Sequence, residues 1–233
     1  ISEKDFAGLV NNIWPIVQSV RQTGAHGEIT FFEMLTAMAF LHFDICDLDF
    51  QVIEVGLGGR LDATNVVGPE ISVITNISLD HVNTLGNSVE QIALEKAGII
   101  KDNVPVVVAP QDPSVLEILT DISVQRNARL IDVVQEKSWK MISSDLKRQI
   151  VEIEGLEGKS VFELPLLGSH QIENTATAIA AVENLPRYYE EGIPEKVVEA
   201  GIGSVEWPGR MYLKSMDERI VVADGAHNPY SIS

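Results

Sequence analysis

The sequence is poor in cysteine, in basic residues and in long apolar runs, which disulfide-bonded, nucleic-acid-binding and membrane-spanning proteins respectively need. Its one cysteine, Cys46, cannot form an internal disulfide, which predicts a reducing, cytoplasmic environment. Lys and Arg total 17 against 34 Asp and Glu, and the formal net charge of −17 argues against a nucleic-acid partner, which requires a basic surface. The densest apolar run, residues 34–43, is too short to cross a membrane, so no membrane partner is expected.

What is present is an alternation of strand-like and helix-like segments in a chain whose hydrophobic content, 45%, can form a sizeable core. Short β-branched runs predict strands at 50–55, 72–77, 104–109 and 130–134. Helical spacing of apolar residues predicts helices at 2–20, 30–43, 88–100, 114–125, 169–185 and 194–202. We expect Pro15 to kink or shorten the first helix, and the second to be buried. The alternation is typical of an α/β fold with helices flanking a mostly parallel sheet.

The pattern changes in the second half of the chain. Residues 149–166, interrupted by a glycine-bounded turn, predict an antiparallel hairpin. Further strands are expected at 211–213 and 220–223, after a break at Trp207-Pro208-Gly209. We therefore predict one domain over residues 1–205 and the start of a second over 206–233, and we expect both ends of the chain to be cuts.

The most informative stretch is residues 54–65, Glu-Val-Gly-Leu-Gly-Gly-Arg-Leu-Asp-Ala-Thr-Asn. A predicted strand ends in Glu54 and a glycine-rich turn follows, which would point Glu54 into the crevice beyond the strand ends. A dinucleotide fingerprint would need a third glycine where Leu61 stands and a helix after it, so a nicotinamide site is the weaker interpretation. A plain structural turn with a solvated Glu54 remains open.

The next predicted strand ends in Asp80 and His81, on the same edge as Glu54. A histidine and carboxylates at neighbouring strand ends can hold a hard divalent ion. The alternative is that His81 only hydrogen-bonds within a loop.

Lys96 falls on the apolar face of a predicted helix. Ser88 opens that helix, and Ile92 and Ala93 fix the buried face on which Lys96 also lies. Burial should lower the pKa of the amine. Either the side chain extends to solvent or pairs with a carboxylate, or it is held inward by carboxylates, a metal or a modification.

Polar residues also follow breaks in the second half of the chain. Asn174 lies on a predicted helix, Arg210 follows the Trp-Pro-Gly break and Asp224 ends a strand. An amide, a guanidinium and a carboxylate could contact the base, phosphate and ribose of a nucleotide. Taken singly, they are equally typical of a helix cap, a surface charge and a strand-end turn.

Together these segments resemble the folylpolyglutamate/dihydrofolate synthase branch of the Mur-ligase superfamily over about residues 30–229. The resemblance rests on six ordered motifs: residues 54–65, Leu-Asp-His (79–81), Glu-Lys-Ala-Gly-Ile (95–99), His-Gln-x-x-Asn (170–174), Trp-Pro-Gly-Arg (207–210) and Asp-Gly-Ala-His-Asn-Pro (224–229).

The resemblance implies a P-loop-type central ATPase domain, here incomplete, and the start of a Rossmann-like domain. In that family ATP phosphorylates the terminal carboxylate of a folate, and the amine of L-glutamate attacks the acyl phosphate, with Mg²⁺ neutralising charge. By this resemblance, Glu54 and His81 match the magnesium ligands, and Lys96 matches the lysine carried as a carbamate. His227 would lie near the reacting phosphate or glutamate. The ATP contacts would be Asn174, Arg210 and Asp224, and the folate contacts Phe32, Leu61, Asp62 and Ala63.

One departure from the family pattern concerns the phosphate loop. The family requires a glycine-rich loop ending in Gly-Lys-Ser or Gly-Lys-Thr, and we identify none in the sequence, so we expect it upstream of Ile1 and the chain alone to be inactive. The resemblance implies a monomer when intact. Three alternatives remain open: another Mur-type amide ligase acting on a cell-wall precursor, a non-catalytic nucleotide-binding module, and a nicotinamide-dependent oxidoreductase.

Overall fold

A computed structural model describes residues 1–24, 27–80, 82–155, 158–185, 192–216 and 219–226. The chain divides into two compact units, Ile1–Val67 and Gly68–Ser233. The domain boundary predicted at residues 205/206 stays a prediction. Within the described ranges, no helix has the length and apolar character needed to cross a lipid bilayer.

The first unit begins with two helices, α1 (Glu3–Thr23) and α2 (Phe31–Ile45). Thr30 and Glu33 form the expected capping box, in which the Thr30 hydroxyl accepts from the Glu33 N–H at 3.2 Å. The prediction that Pro15 shortens α1 was wrong, since the helix continues through it to Thr23. The prediction that α2 is buried was also wrong: only Thr36 and Met38 are buried, because contact with α1 covers one side of the helix.

Residues 50–55, predicted as a strand, are not one in the structure. A strand requires a neighbour that completes its hydrogen-bond ladder, and none of the described strands pairs with this segment. The glycine-rich stretch that follows ends in a short 3₁₀ helix, Ala63–Val66.

The second unit contains the predicted parallel sheet. Three short strands pair in the order β1 (Ser72–Ile74), β2 (Val106–Val108) and β3 (Leu130–Asp132). The helices after these strands are α3 (Val82–Leu85), α4 (Val89–Ala97), α5 (Pro113–Gln125) and α6 (Val133–Glu136). Every residue of β2 is fully buried, as the apolar run of a central parallel strand predicts. The α/β fold class is thereby confirmed.

An antiparallel sheet follows in the same unit, with strands β4 (Trp139–Ser144), β5 (Gln149–Gly155) and β6 (Gly158–Leu164). The hairpin of β5 and β6 was predicted and β4 was not, because its largely exposed residues lack a buried alternate face. The inner face of this sheet packs on α7 (Ser169–Glu183). Then come α8 (Glu195–Gly203) and the antiparallel pair β7 (Tyr212–Met216) and β8 (Arg219–Ala223).

Candidate functional site

Lys96 lies on the buried face of α4, as its helical register predicted. Ser88 caps the helix by accepting from the Gln91 N–H at 3.3 Å, and Ile92 and Ala93 are fully buried beside the lysine. Burial lowers the pKa of the Lys96 amine, and the negative charge of Asp80 partly offsets that effect. The expected direction of this pKa is confirmed, and Asp80 is identified as a carboxylate that acts on the amine.

The glycine-rich stretch of the first unit is organised around Asp62. Its carboxylate accepts from the Leu57 N–H at 2.9 Å and from both the N–H and the hydroxyl of Thr64, at 2.9 and 2.5 Å. Partial burial acts to raise the pKa of Asp62, but the hydrogen bonds from Thr64, Leu57 and Gly56 outweigh it and hold the pKa below its ordinary value. This geometry agrees with the structural-turn interpretation of the loop.

Phe32 and the loop are in close contact within the first unit. A Cβ added to Gly56 would lie 2.4 Å from the Phe32 Cζ atom. The Phe32 ring therefore packs directly against the backbone at Gly56, where any side chain would clash with it. Leu61 is 80% exposed and Ala63 half-buried at the same loop. The structure therefore brings Phe32 to the stretch that contains the predicted folate contacts Leu61, Asp62 and Ala63.

The same loop lacks the geometry of a dinucleotide site. The glycine-rich turn leads into a four-residue 3₁₀ helix, Ala63–Val66, and Asp62 caps it by accepting from the Thr64 N–H. Among residues 59–80, all of which the structure describes, no α-helix begins on whose N-terminus a pyrophosphate could rest, so the nicotinamide interpretation loses its physical basis.

Arg210 and Asp224 lie close together in the second unit. The Asp224 carboxylate accepts from the backbone N–H groups of Met211 at 2.6 Å and Ala226 at 2.7 Å, and these bonds hold its pKa below the ordinary value. The charges of Arg210 and His170 lower the pKa further. The side chains of Asp224, Arg210 and His170 are all exposed, so a ligand can reach them from solvent.

His170 was not among the predicted contact residues, although it begins the motif that contains Asn174. It lies over Gly168, where an added Cβ would be 2.5 Å from the imidazole Cε1 atom. The buried side chain of Gln149 fixes this turn by donating to the carbonyls of Leu166 and Gly168, at 2.8 and 3.0 Å. Asn174 follows one helical turn later, exposed on α7.

Two predicted residues, His81 and His227, lie outside the described residues. Glu54 is described and exposed. Among the described residues, no cluster of three His, Cys, Asp or Glu side chains could hold a metal ion. Magnesium ligation by Glu54 and His81 stays a prediction.

A Gly-Lys-Ser tripeptide occurs at 158–160, but Ile153 stands where the phosphate-loop pattern Gly-x-x-x-x-Gly-Lys-Ser requires its first glycine. The tripeptide forms the start of β6, where Gly158 pairs with Gly155 across the hairpin and the Lys159 amine lies 3.4 Å from the Glu152 carboxylate. A phosphate loop connects a strand to a helix N-terminus, so this tripeptide has a different structural role.

The chain matches the family described as Mur ligase middle domain over residues 10–182. It is 37% identical over 231 residues to the dihydrofolate synthase/folylpolyglutamate synthase of Bacillus subtilis (strain 168), covering 98% of this chain and 53% of that protein. The chain thus spans about half the length of this relative.

Solved structures agree with the sequence match. Mycobacterium tuberculosis folylpolyglutamate synthase complexed with ADP and AMPPCP matches with a TM-score of 0.88 and 36% identity, covering 99% of this chain and 53% of that one. An FPGS–AMPPCP–folate complex matches with a TM-score of 0.90 and 32% identity, covering 97% of this chain and 55% of that one.

Proposed function

The chain belongs to the Mur ligase middle-domain family, and from this premise we propose that the whole protein joins L-glutamate to a folate in an ATP-dependent reaction. The product would be a tetrahydrofolylpolyglutamate, dihydrofolate or both. The names of the relatives support this choice of substrate over another Mur-type amide ligase.

One observation carries the nucleotide part of the proposal. Asp224, fixed by two backbone N–H groups, lies beside Arg210 and within reach of the charge of His170 at the start of α7. A fixed carboxylate can accept from a ribose hydroxyl, and a guanidinium can bind a phosphate. We propose that Arg210 and Asp224, with Asn174 on α7, bind ATP.

The remaining roles follow the same proposal. Mg²⁺ would neutralise charge on the transferring phosphoryl group, with Glu54 and His81 as its predicted ligands, and an exposed carboxylate such as Glu54 is a donor of the hard type that this ion prefers. Phe32, Leu61, Asp62 and Ala63 would contact the folate, and His227 would lie near the reacting groups. We further propose a cytoplasmic monomer that binds neither nucleic acid nor membrane.

Lys96 is proposed to work as a carbamate. Its lowered pKa increases the fraction of neutral amine, whose nitrogen can attack the carbon of CO₂ and release a proton. The product is an anion with two oxygen atoms in place of a half-buried cation. The charge at Lys96 would then change from positive to negative, so its interaction with Asp80 would become repulsive. The carbamate therefore requires a nearby cation such as Mg²⁺.

The test uses the whole protein with ATP, Mg²⁺, L-glutamate and either tetrahydrofolate or dihydropteroate. We expect glutamate incorporation coupled to ADP release, its loss in Lys96→Ala, and partial recovery when acetate supplies a carboxylate. Lys140→Ala, at an exposed position on β4, is the matched control and should keep full activity.

Three outcomes would contradict parts of this proposal. Turnover with a cell-wall peptide precursor but not with folates would identify another Mur-type ligase. ATP binding without turnover would indicate a non-catalytic module. Full activity of Lys96→Ala without acetate would exclude the carbamate.

A further inference from the structure

The backbone pairing of β1 and β2 stops at a proline. The Ala109 N–H donates to the Ile74 carbonyl at 2.9 Å, and the next residue along the second strand is Pro110, which has no N–H to donate. The chain beyond Ile74 leads along the carboxyl edge of the sheet towards Asp80. In an open α/β sheet this edge is the side on which ligands bind.

The side chain of Gln111 continues the pairing in place of backbone. Its Nε2 donates to the Thr75 carbonyl at 2.9 Å, and its Oε1 accepts from the Ile77 N–H at 2.9 Å. These two groups flank one residue of the neighbouring segment, as the partners of a residue in a parallel ladder do. The carboxamide of Gln111 therefore acts as one additional ladder position.

The residue between those two groups, Asn76, makes the reciprocal contact. Its Nδ2 donates to the Pro110 carbonyl at 2.8 Å, so the two segments are joined in both directions. Its Oδ1 is buried and has no hydrogen-bond partner among the described residues. A buried acceptor left without a partner is costly, and the amide is held in this orientation by the bond to Pro110.

These contacts fix the backbone of residues 75–77, three residues before Asp80. The charge of Asp80 acts on the Lys96 amine from that segment. Only two residues, Ser78 and Leu79, separate Ile77 from Asp80. The position of Asp80 relative to Lys96 therefore depends on where the 75–77 backbone is held.

We propose that Gln111 and Asn76 are positioning residues, which hold residues 75–80 at the carboxyl edge of the sheet so that Asp80 stays beside Lys96. The effect on turnover rests on the proposed ligase function, whereas the effect on the 75–80 backbone does not. Neither residue touches the reacting groups in this proposal. Their contribution is made through the segment that contains Asp80.

The test compares Gln111→Met, which keeps the length of the side chain and removes both hydrogen bonds, with Gln111→Glu, which can still accept from the Ile77 N–H but cannot donate when ionised. Hydrogen exchange of the whole protein is measured by mass spectrometry on peptides covering 75–80. We expect exchange about ten-fold faster in Gln111→Met, which loses both hydrogen bonds, and a smaller increase in Gln111→Glu, which keeps the bond from the Ile77 N–H. Gln125→Met, at an exposed position ending α5, is the matched control.

Turnover separates positioning from simple stabilisation. We expect Gln111→Met to lower kcat about ten-fold or more while the KM for ATP changes less than about two-fold, because the nucleotide contacts lie elsewhere in the unit. Faster exchange spread over all peptides, or a lower melting temperature with unchanged kcat, would overturn the proposal. Unchanged exchange at 75–80 would overturn it as well. If the unsubstituted protein ligates no glutamate, the proposed function fails, and the exchange data still decide whether Gln111 holds the segment.

Discussion

Replacing Lys137 by methionine removes one half of a buried ion pair in the second unit. The Lys137 amine donates to the Glu183 carboxylate, and the two side chains are only 8% and 7% exposed. Lys137 follows α6 and Glu183 is the last residue of α7, so the pair fixes the end of the helix that presents Asn174. Methionine has nearly the same length as the lysine stem and fills the same space without a charge.

The expected cost follows from the burial of the partner. With Lys137 gone, the Glu183 carboxylate is left in a site with almost no access to water, and breaking a buried pair in this way costs about 3–5 kcal/mol. Removing both charges avoids that penalty, so Lys137→Met with Glu183→Leu should lie within about 1–2 kcal/mol of the original protein, or above it. An exposed pair of the same types, Lys159 and Glu152, should contribute less than about 1 kcal/mol.

Urea denaturation at neutral pH, followed by circular dichroism, gives the free energy of unfolding for the single and double variants in one cycle. Lys159→Met serves as the matched control for loss of a surface lysine. If Lys137→Met costs no more than Lys159→Met, the pair is not buried as described. A double variant that loses as much stability as the two single variants together would show that the two side chains are not coupled, and would contradict the ion pair described above.

Two further predictions concern the loops of the candidate site. Gly168→Ala should lower the free energy of unfolding by about 1–3 kcal/mol and displace His170, because Gly168 has φ of 107° and an added Cβ would lie 2.5 Å from the imidazole. Gly201→Ala, where an added Cβ has nothing within 4 Å, is the control. Equal melting temperatures for the two variants would contradict this prediction. Asp62→Asn should destabilise the protein at neutral pH, as measured by thermal unfolding. Because the folded-state pKa of Asp62 lies below its ordinary 3.8, the carboxylate stabilises the fold above pH 3.8, and this effect is lost as the pH falls through the folded-state pKa. The melting temperatures of the original protein and of Asp62→Asn should therefore become equal in acid. A difference that does not change with pH would argue against this role of Asp62.

Local sequence signals predicted those features that depend on neighbours along the chain. The capping residues Thr30 and Ser88 mark the starts of their helices in the structure, and the register counted from Ser88 placed Lys96 on the buried face of α4. Short β-branched runs likewise identified the three parallel strands, because composition and period are properties of a short segment. The predicted bounds were longer than the observed strands, because pairing rather than propensity decides where a ladder ends.

Predictions about exposure and pairing failed where a distant partner was involved. Residues 50–55 have the composition of a strand, but a strand exists only with a neighbour, and none of the described strands pairs with them. Helix α2 is apolar on most sides, yet its burial depends on how many elements surround it. Strand β4 was missed because nearly all of its residues are exposed, so its sequence has no alternation of apolar and polar residues.

Within the candidate site, local sequence patterns identified the kinds of group present: a lysine on a buried helical face (Lys96), a carboxylate after a strand (Asp224) and a guanidinium after a chain break (Arg210). Which of these groups lie close together followed only from the folded chain. Asp62 is directed into its own loop, Asp224 lies beside Arg210, and Gln111 hydrogen-bonds to Thr75 across 36 residues of chain. Side-chain hydrogen bonds of this range depend on the relative position of two strands, which no local pattern encodes, and for that reason they could be found only in the folded protein.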